Sequence, residues 1–597
     1  MYRRLFGWIA ALIISANLLH AENASKPISD PVLDTPTLRS LGAYWLIQGD
    51  DNRNARVECQ YRKAGGEWKR GPDLFRVAQN PRGVYKSQGG KPKEVEPKVP
   101  QFSWLFAGSL VLLEPDTAYE WKLKLIDPDG GEAEKTLQAH TIGEPKAPED
   151  LVTLHVVPPA PDGKGEGEGD GSAEHPFVGL NAAQKAAKPG TLFLLGSGTY
   201  KTPFIFEKSG EPGHPIIWRG KVNGEVVLDA GAPKDKLVGS PACMEVFKQH
   251  DLWFENLMVR GAHNLMRAHG SYRIVVRRCY FYEGICGMYA DGELDNHLGP
   301  FFISDNTFEG TMPWPITKAQ YDVLPESRAI WIGGSGNVVC YNRIHHWKDG
   351  MDNADSPHCD SNDFHNNEVS ECFDDGTEMD GSVRNTRCFL NRYTNVFQGI
   401  SFQPIYGGPA YAFRNVIYNV QVEPFKLHNV PSGAVLIHNT IVKHGAPIML
   451  MTEDSPINCF TRNNLFIGTE GRALSFDPYM EHCDFDYDGF GGASGDIFMK
   501  WNNKAYKSLD DVHKLCEVEK HCVVVDPKTA FFSGVQPPES NQTVFDAKIG
   551  DVRLKEGTGA IDVGEVLPGF NDGFVGKAPD LGAFEFGEKL PQYGPRR

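Results

Sequence analysis

The sequence predicts an all-β chain, a right-handed parallel β-helix of about 24 residues per rung preceded by a small β-sandwich, and three observations predict it. First, an Asn, once replaced by Cys279, recurs with an apolar residue two positions later, at 256, 279, 306, 342, 367, 391, 415, 439 and 464. The steps are 23, 27, 36, 25, 24, 24, 24 and 25 residues. A unit this short cannot bury its own apolar face, so successive units must stack and share one interior. Second, residues 30–145 are short alternating polar and apolar runs divided by turn signals such as Gly65-Gly66 and Asp127-Pro128-Asp129-Gly130. Third, 63 Gly and 41 Pro beside 34 Phe, 20 Tyr and 11 Trp supply frequent turns and a core, which excludes a disordered chain or a helical bundle.

In chain order, the first element is an export leader. Residues 1–21 set Arg3 and Arg4 before an apolar stretch that ends at the small residue Ala21. Asn17 interrupts that stretch, which is short for a bilayer span, so it is expected to be cleaved as a signal peptide. The expected location is secreted or periplasmic, with no membrane span left after cleavage. In that oxidising setting the 12 cysteines are an even count, but Cys340, Cys372, Cys388 and Cys459 fall in apolar repeat segments, where buried free thiols are common. Only Cys516 and Cys522 look placed for a bridge, and no cysteine has zinc-ligand spacing. Sixty basic against 77 acidic residues, with no basic run, exclude nucleic acid as a partner. A monomer is expected.

Residues 30–145 read as the sandwich. The run Leu113-Glu-Pro-Asp-Thr-Ala-Tyr119 resembles the tyrosine-corner segment of fibronectin type III domains. The resemblance implies a role as spacer against the next domain, or in carbohydrate or partner binding. The Gly and acid run Asp162–Asp170 is then a flexible linker or a surface loop.

Residues 150–590 read as the β-helix. Leucine-rich repeats have a similar period, but here β-branched and aromatic residues with Asn and Gly turns favour strands. Gly171–Phe177, the helix-forming LNAAQKAAKPG and the strands that lead to Tyr200 resemble the N-terminal entry of secreted proteins of the pectate-lyase type. A cap helix there would shield the apolar cross-section of the first rung. Ala560–Gly564 and Pro579–Glu585 resemble the closing segment of the same group.

Aligning the strand about nine residues after each marker locates the chemistry. Placing Met351, Thr377, Ile400 and Phe425 inside forces Asp352, Glu378, Ser401 and Lys426 outward, one per rung about 4.8 Å apart. Asp380, Gln403 and His428 follow on the same outer face, then Met449 and Met451. The preceding turns add Asp349 and the pair Asp374-Asp375. Stacked carboxylates repel, so a stripe of them needs a reason. The order Asp-Gly, Asp-Asp, Gln-Gly-Ile-Ser, Phe-Lys resembles the active-site rungs of polygalacturonase-type glycoside hydrolases. The resemblance implies general-acid and water-activating roles for Asp349, Asp374 and Asp375, with Lys426 holding substrate. Trp347 and Lys348 replace that family's Asn-Thr, Gln398 its His, and Phe425 stands before Lys426 without its Arg.

Glycoside hydrolysis needs one carboxylic acid and one carboxylate, and clustered like charges raise one pKa for the acid role. Asp349, Asp374, Asp375 and Glu378 are the catalytic candidates. Asp352, Asp380, Gln403, Lys426, His428, Trp331 and Tyr406 are the substrate-binding ones, with Tyr411 and Trp314 as further rings for sugar faces. His345 and His346 read as structural hydrogen-bonding groups. The expected function is therefore a secreted polysaccharide-degrading glycoside hydrolase that requires no cofactor. A second enzymatic reading is a polysaccharide lyase, with Ca²⁺ held by Asp352, Glu378 and Asp380, helped by Asp349, and Lys426 or His428 as base. A non-catalytic carbohydrate-binding surface protein is the third.

Overall fold

The computed structural model describes residues 23–77, 84–85, 93–94, 97–160, 164–222, 224–291, 300–353, 358–448, 455–476, 479–548 and 550–596. The leader at 1–21, Met449 and Met451 lie outside the described residues.

Two antiparallel sheets form the N-terminal unit. One joins Lys26–Pro27, Leu41–Gln48, Ser103–Leu110 and Phe75–Val77, with Val32–Leu33 at its side; the other joins Glu132–His140, Ala118–Ile126, Arg56–Lys63 and Lys69–Arg70. Alternation decides which faces meet: every second residue of Ala118–Ile126 is buried, so Tyr119, Trp121, Leu123 and Leu125 pack on Trp45, Val57 and Cys59. Tyr119 accepts a hydrogen bond on its hydroxyl from the Glu114 amide at 3.0 Å, pinning the approach to that strand.

The rest is a parallel β-solenoid of about 13 turns, built on a 14-stranded and an 18-stranded sheet. Its spine is the recurrent Asn. Asn306 accepts from the Cys279 amide at 2.9 Å, and from Asn342 through Asn367, Asn391, Asn415 and Asn439 to Asn464 each amide oxygen accepts from the backbone and side-chain N–H of the preceding Asn at 2.9–3.1 Å. Asp488 ends the ladder by accepting from Asn464. Each such chain satisfies buried backbone that would otherwise cost about 1–3 kcal/mol per group. It also holds the preceding residue in the left-handed region, with φ 57° at Asp305, 54° at Leu390 and 53° at Arg414. Asn256 is not part of the ladder. Met258 pairs with Tyr280, so Leu257 is the rung partner of Cys279, and Asn256 instead accepts from Arg278 on the outside.

Both ends of the interior are closed. Helix Leu180–Ala186 buries Leu180, Ala182 and Ala183 at the first rung. Helix Leu509–Leu515, capped by Ser508 accepting from the Asp511 amide at 3.2 Å, lays Val512 on the last rungs. The segments at Ala560–Gly564 and Pro579–Glu585 lie beside the last rungs, with Leu581 against Gly489. They return along the flank, where Ala560, Leu581, Ala583 and Phe584 cover Val416, Leu465 and Ile467.

Of the Gly and acid run, residues 164–170 form a folded surface loop, since Gly167 and Glu168 exchange backbone hydrogen bonds with Val178, while Asp162 and Gly163 lie outside the described residues. The sandwich is seated on the solenoid by buried charge. Asp34 binds Arg384 at 2.7 Å, and Asp363 takes Arg387, Thr37 and Ser40. All 12 cysteines are free thiols, so the expected Cys516–Cys522 bridge is absent: Cys516 ends its helix inside the core, and Cys522 faces His513. Among the described residues no helix is long and apolar enough to cross a membrane.

Candidate active site

Five strands of the larger sheet, each paired with the next, carry the site: Arg328–Ile332, Asp349–Asn353, Glu368–Glu378, Arg392–Ser401 and Phe425–Lys426. The register runs Trp331, Asp352, Glu378, Ser401, Lys426 along the outer face, over Ile330, Met351, Thr377, Ile400 and Phe425 inside. A parallel column brings Arg328 beside Asp349 and Asp375 beside Gln398. The glycines that follow Asp349 and Gln398 within these strands are demanded by close backbone approach. A Cβ on Gly350 would sit 2.4 Å from the carbonyl oxygen of Gly376, and one on Gly399 2.3 Å from that of Pro424. The register slips between Cys372 and Asp375, and this irregularity accommodates the Asp-Asp pair in the strand.

Asp349, Asp375 and Glu378 each offer an oxygen within 4.8 Å of the others. Lys426 donates to Asp375 Oδ2 at 2.8 Å, and Asp375 Oδ1 has no hydrogen-bond partner among the described residues. Arg328 donates to Asp352 Oδ2 at 2.8 Å and lies 3.9 Å from Asp349. Asp374 accepts from the Tyr321 hydroxyl at 2.6 Å and from Gln398 Nε2 at 3.3 Å, with Lys348 3.7 Å away. Asp380 accepts from Ser401 at 2.7 Å and from the Gln403 amide at 2.5 Å.

Too few cations serve this many buried acids, and the protons follow. Burial, then Asp374 nearby, pushes Asp349 well above the usual carboxylate range. Burial, then Asp352, does the same to Glu378, and burial raises Asp380 despite Lys426. Asp374 is raised to about 6 by burial and by Asp375. Asp352 is raised by burial, with Arg328 and a hydrogen bond with Glu378 easing the shift. Burial opposes the charge on Lys426 and on Arg328, yet the surrounding carboxylates hold both firmly cationic. Glu378 alone of Asp349, Asp352, Asp374, Asp375 and itself is half-exposed; the others are buried.

Of the residues expected from sequence, Asp349, Asp374, Asp375, Glu378, Asp352, Asp380, Gln403 and Lys426 belong to one hydrogen-bonded neighbourhood, and Trp331 stands half-exposed beside Asp352. Four placements differ. His428 is paired with Glu423 at 3.3 Å rather than with the cluster. Tyr406 begins a strand of the other sheet and is only 7% exposed, too buried to stack on a sugar. Tyr411 lies beneath the sandwich, where its hydroxyl accepts from the Ser109 amide. The oxygens that converge as a cation could use belong to Asp349, Asp375 and Glu378, not to Asp352, Glu378 and Asp380, because Arg328 engages Asp352 and Ser401 engages Asp380.

Arg328, Tyr321 and Glu326 escaped the sequence reading. Extending the strand alignment one rung back from Asp349 reaches Arg328, three residues before Trp331. Tyr321 and Glu326 come from the insert that lengthens one step to 36 residues; it packs Met312, Trp314, Ile316 and Leu324 against Phe373 and so delivers both polar side chains. Glu326 in turn pairs with Lys348. Trp314 is therefore part of this apolar flank.

No protein-family model matches the sequence, and no curated protein does. Solved structures are similar to it. XylC in complex with xylose aligns at TM-score 0.46 and 10% identity, covering 74% of this chain and 99% of that one. The catalytic domain of a GH87 α-1,3-glucanase aligns at TM-score 0.25 and 10% identity with tetrasaccharides bound, covering 81% and 90%. With nigerose bound it aligns at 0.22 and 11%, covering 80% and 94%.

Proposed function

We propose that the chain is an exported glycoside hydrolase acting on a polysaccharide laid along the outer face of the solenoid. The observation that carries the reading is Glu378: with Asp380 it forms the half-exposed edge of a buried acid cluster, its pKa is raised by burial and by Asp352 and Asp349, and it offers an oxygen within 4.8 Å of Asp375. A protonated carboxyl open to the cleft can deliver its proton to the glycosidic oxygen as the C–O bond breaks. Asp375, paired with Lys426, is the carboxylate that takes up the positive charge developing at the anomeric carbon, by activating water or by direct attack. Asp349 and Asp374 share the remaining protons and keep the pair apart in charge. Trp331 offers a ring face beside them.

Elimination is less well served. A lyase must neutralise a uronate carboxylate and present a free base, but Arg328 and Lys426 are already bound by Asp352 and Asp375, and Lys426 is held cationic. The test is a screen of the purified protein on plant, algal and microbial polysaccharides, reading reducing ends together with the ultraviolet absorbance of unsaturated uronates. Reducing ends without absorbance, falling at least about 100-fold in Glu378→Gln and Asp375→Asn, are expected. Absorbance rising in step with reducing ends would refute hydrolysis.

A further inference from the structure

On the N-terminal side of the acid cluster the same sheet carries a cavity of about 350 Å³, walled by His263, Asn264, Arg267, Tyr289, Glu326 and Arg328. That volume lies within the roughly 300–1,000 Å³ of small-molecule sites. The register joins it to the catalytic face without a break: Arg267 pairs with Tyr289, Tyr289 with Trp331, Trp331 with Asp352 and Asp352 with Glu378. At one rung per pair, Tyr289 stands about 14 Å from Glu378, the reach of a short run of linked sugars. The Tyr289 and Trp331 rings meet edge to face at 4.1 Å, giving two half-exposed aromatic surfaces in file.

The lining sorts by charge: Arg267 at the exposed edge and Glu326 oppose one another in sign, and Ile285 and Cys286 are apolar. His263 Nδ1 accepts from the Gly239 amide at 3.1 Å, which leaves the imidazole proton on Nε2, and burial lowers its pKa, so the ring is a neutral donor. Asn264 offers both donor and acceptor. Arg328 is shared among Asp352, Asp349 and Glu326, the last at 3.7 Å, so its charge is spent within the protein. Beyond it the carboxyl groups of the cluster outnumber Lys348 and Lys426. A sugar carboxylate or sulfate entering this cleft would add negative charge beside Glu326 and beside the Asp352 and Glu378 rungs, where acids already outnumber cations, whereas hydroxyl groups find donors and acceptors on His263, Asn264 and Glu326.

We propose that this cavity is a substrate subsite for uncharged sugar rings, so that the polymer is a neutral polysaccharide and not a polyuronate. Its place on the catalytic face rests on the glycosidase reading above, while the binding of neutral sugar is measured independently of turnover. The full-length Glu378→Gln protein is titrated calorimetrically with cellotetraose, xylotetraose, mannotetraose and tetragalacturonate. At least one neutral tetrasaccharide is expected to bind, with tetragalacturonate showing no heat. Adding Tyr289→Ala is expected to weaken that binding roughly tenfold, and Tyr289→Phe, which keeps the ring, to restore it. In the otherwise native enzyme, Tyr289→Ala should raise KM on long chains more than it lowers kcat. Tightest binding of tetragalacturonate, no binding by any neutral probe, or affinity indifferent to Tyr289→Ala would each overturn the subsite. Tyr289-dependent neutral binding without any hydrolysis by the native protein would uphold the subsite and overturn the glycosidase reading instead.

Discussion

Replacing Lys426 with Met tests the central charge arrangement. Its ammonium lies 2.8 Å from Asp375 Oδ2, and both groups are buried. At an effective dielectric constant near 20, that contact is worth about 6 kcal/mol. Part of it offsets the cost of burying the ammonium, so removing one partner is expected to cost about 3–5 kcal/mol at neutral pH. Asp375 is then left buried beside Asp349 and Glu378 without a cation, and denaturant unfolding at neutral pH reads that deficit. The carboxylate also loses the partner that fixes its position, so kcat should fall at least about 100-fold. The Lys426→Met/Asp375→Asn double variant should recover stability to within about 1 kcal/mol, though not activity. Unchanged stability or undiminished turnover in Lys426→Met, or a double variant no more stable than Lys426→Met, would refute the pairing as described.

The remaining expectations concern protons, spine, interface and metal. Because Asp349 and Glu378 are raised well above the carboxylate range and Asp374 to about 6, kcat/KM should decline on the alkaline side as these groups ionise; a plateau extending to high pH in a pH–rate profile rules out a carboxylic acid donor. The same shifts make the cluster favour the folded state at acid pH, a contribution lost as pH rises through about 6, which thermal melts across that window would reveal. Asn391→Ala strands the Asn367 amide and the Phe364 carbonyl in the interior, and should cost at least about 2 kcal/mol in denaturant unfolding, whereas an exposed Asn should cost almost nothing. Arg387→Met leaves Asp363 buried without its cation, a loss of about 3–5 kcal/mol, and should speed proteolysis within 30–145 ahead of the solenoid. Added Ca²⁺ should leave the melting temperature unchanged, since Lys426 already occupies Asp375 Oδ2; a Ca²⁺-dependent rise that Glu378→Gln abolishes would reassign the cluster as a metal site.

The legibility of this chain follows the range of the interactions involved. The asparagine period is readable because one side chain serves two adjacent rungs, so the same residue must return at every turn; where Cys279 follows Leu257 without an Asn, the text misled by a single position. Likewise the outward order Asp352, Glu378, Ser401 and Lys426 follows from period-two alternation once Met351 and Ile400 are set inside.

Stacking fixed by local pattern is thus what the sequence by itself determined: an all-β chain, a solenoid, and a stripe of acids ending in a lysine. Tertiary structure alone decided which acids are buried, which cation each receives, and that Tyr321 and Glu326 reach the stripe from an insert with no period. It also moved Tyr406 and Tyr411 out of the cleft, because a Gly-rich loop of aromatics gives no sign of which sheet it will enter. The physical reason is that register repeats along a strand and can be read from spacing, whereas burial and charge partnership depend on segments far apart in the chain. Glu255, Asp363 and Asp375 are all wholly buried acids, and only their neighbours distinguish a structural anchor held by arginines or seated beneath a second domain from one left with an unpaired oxygen beside Glu378.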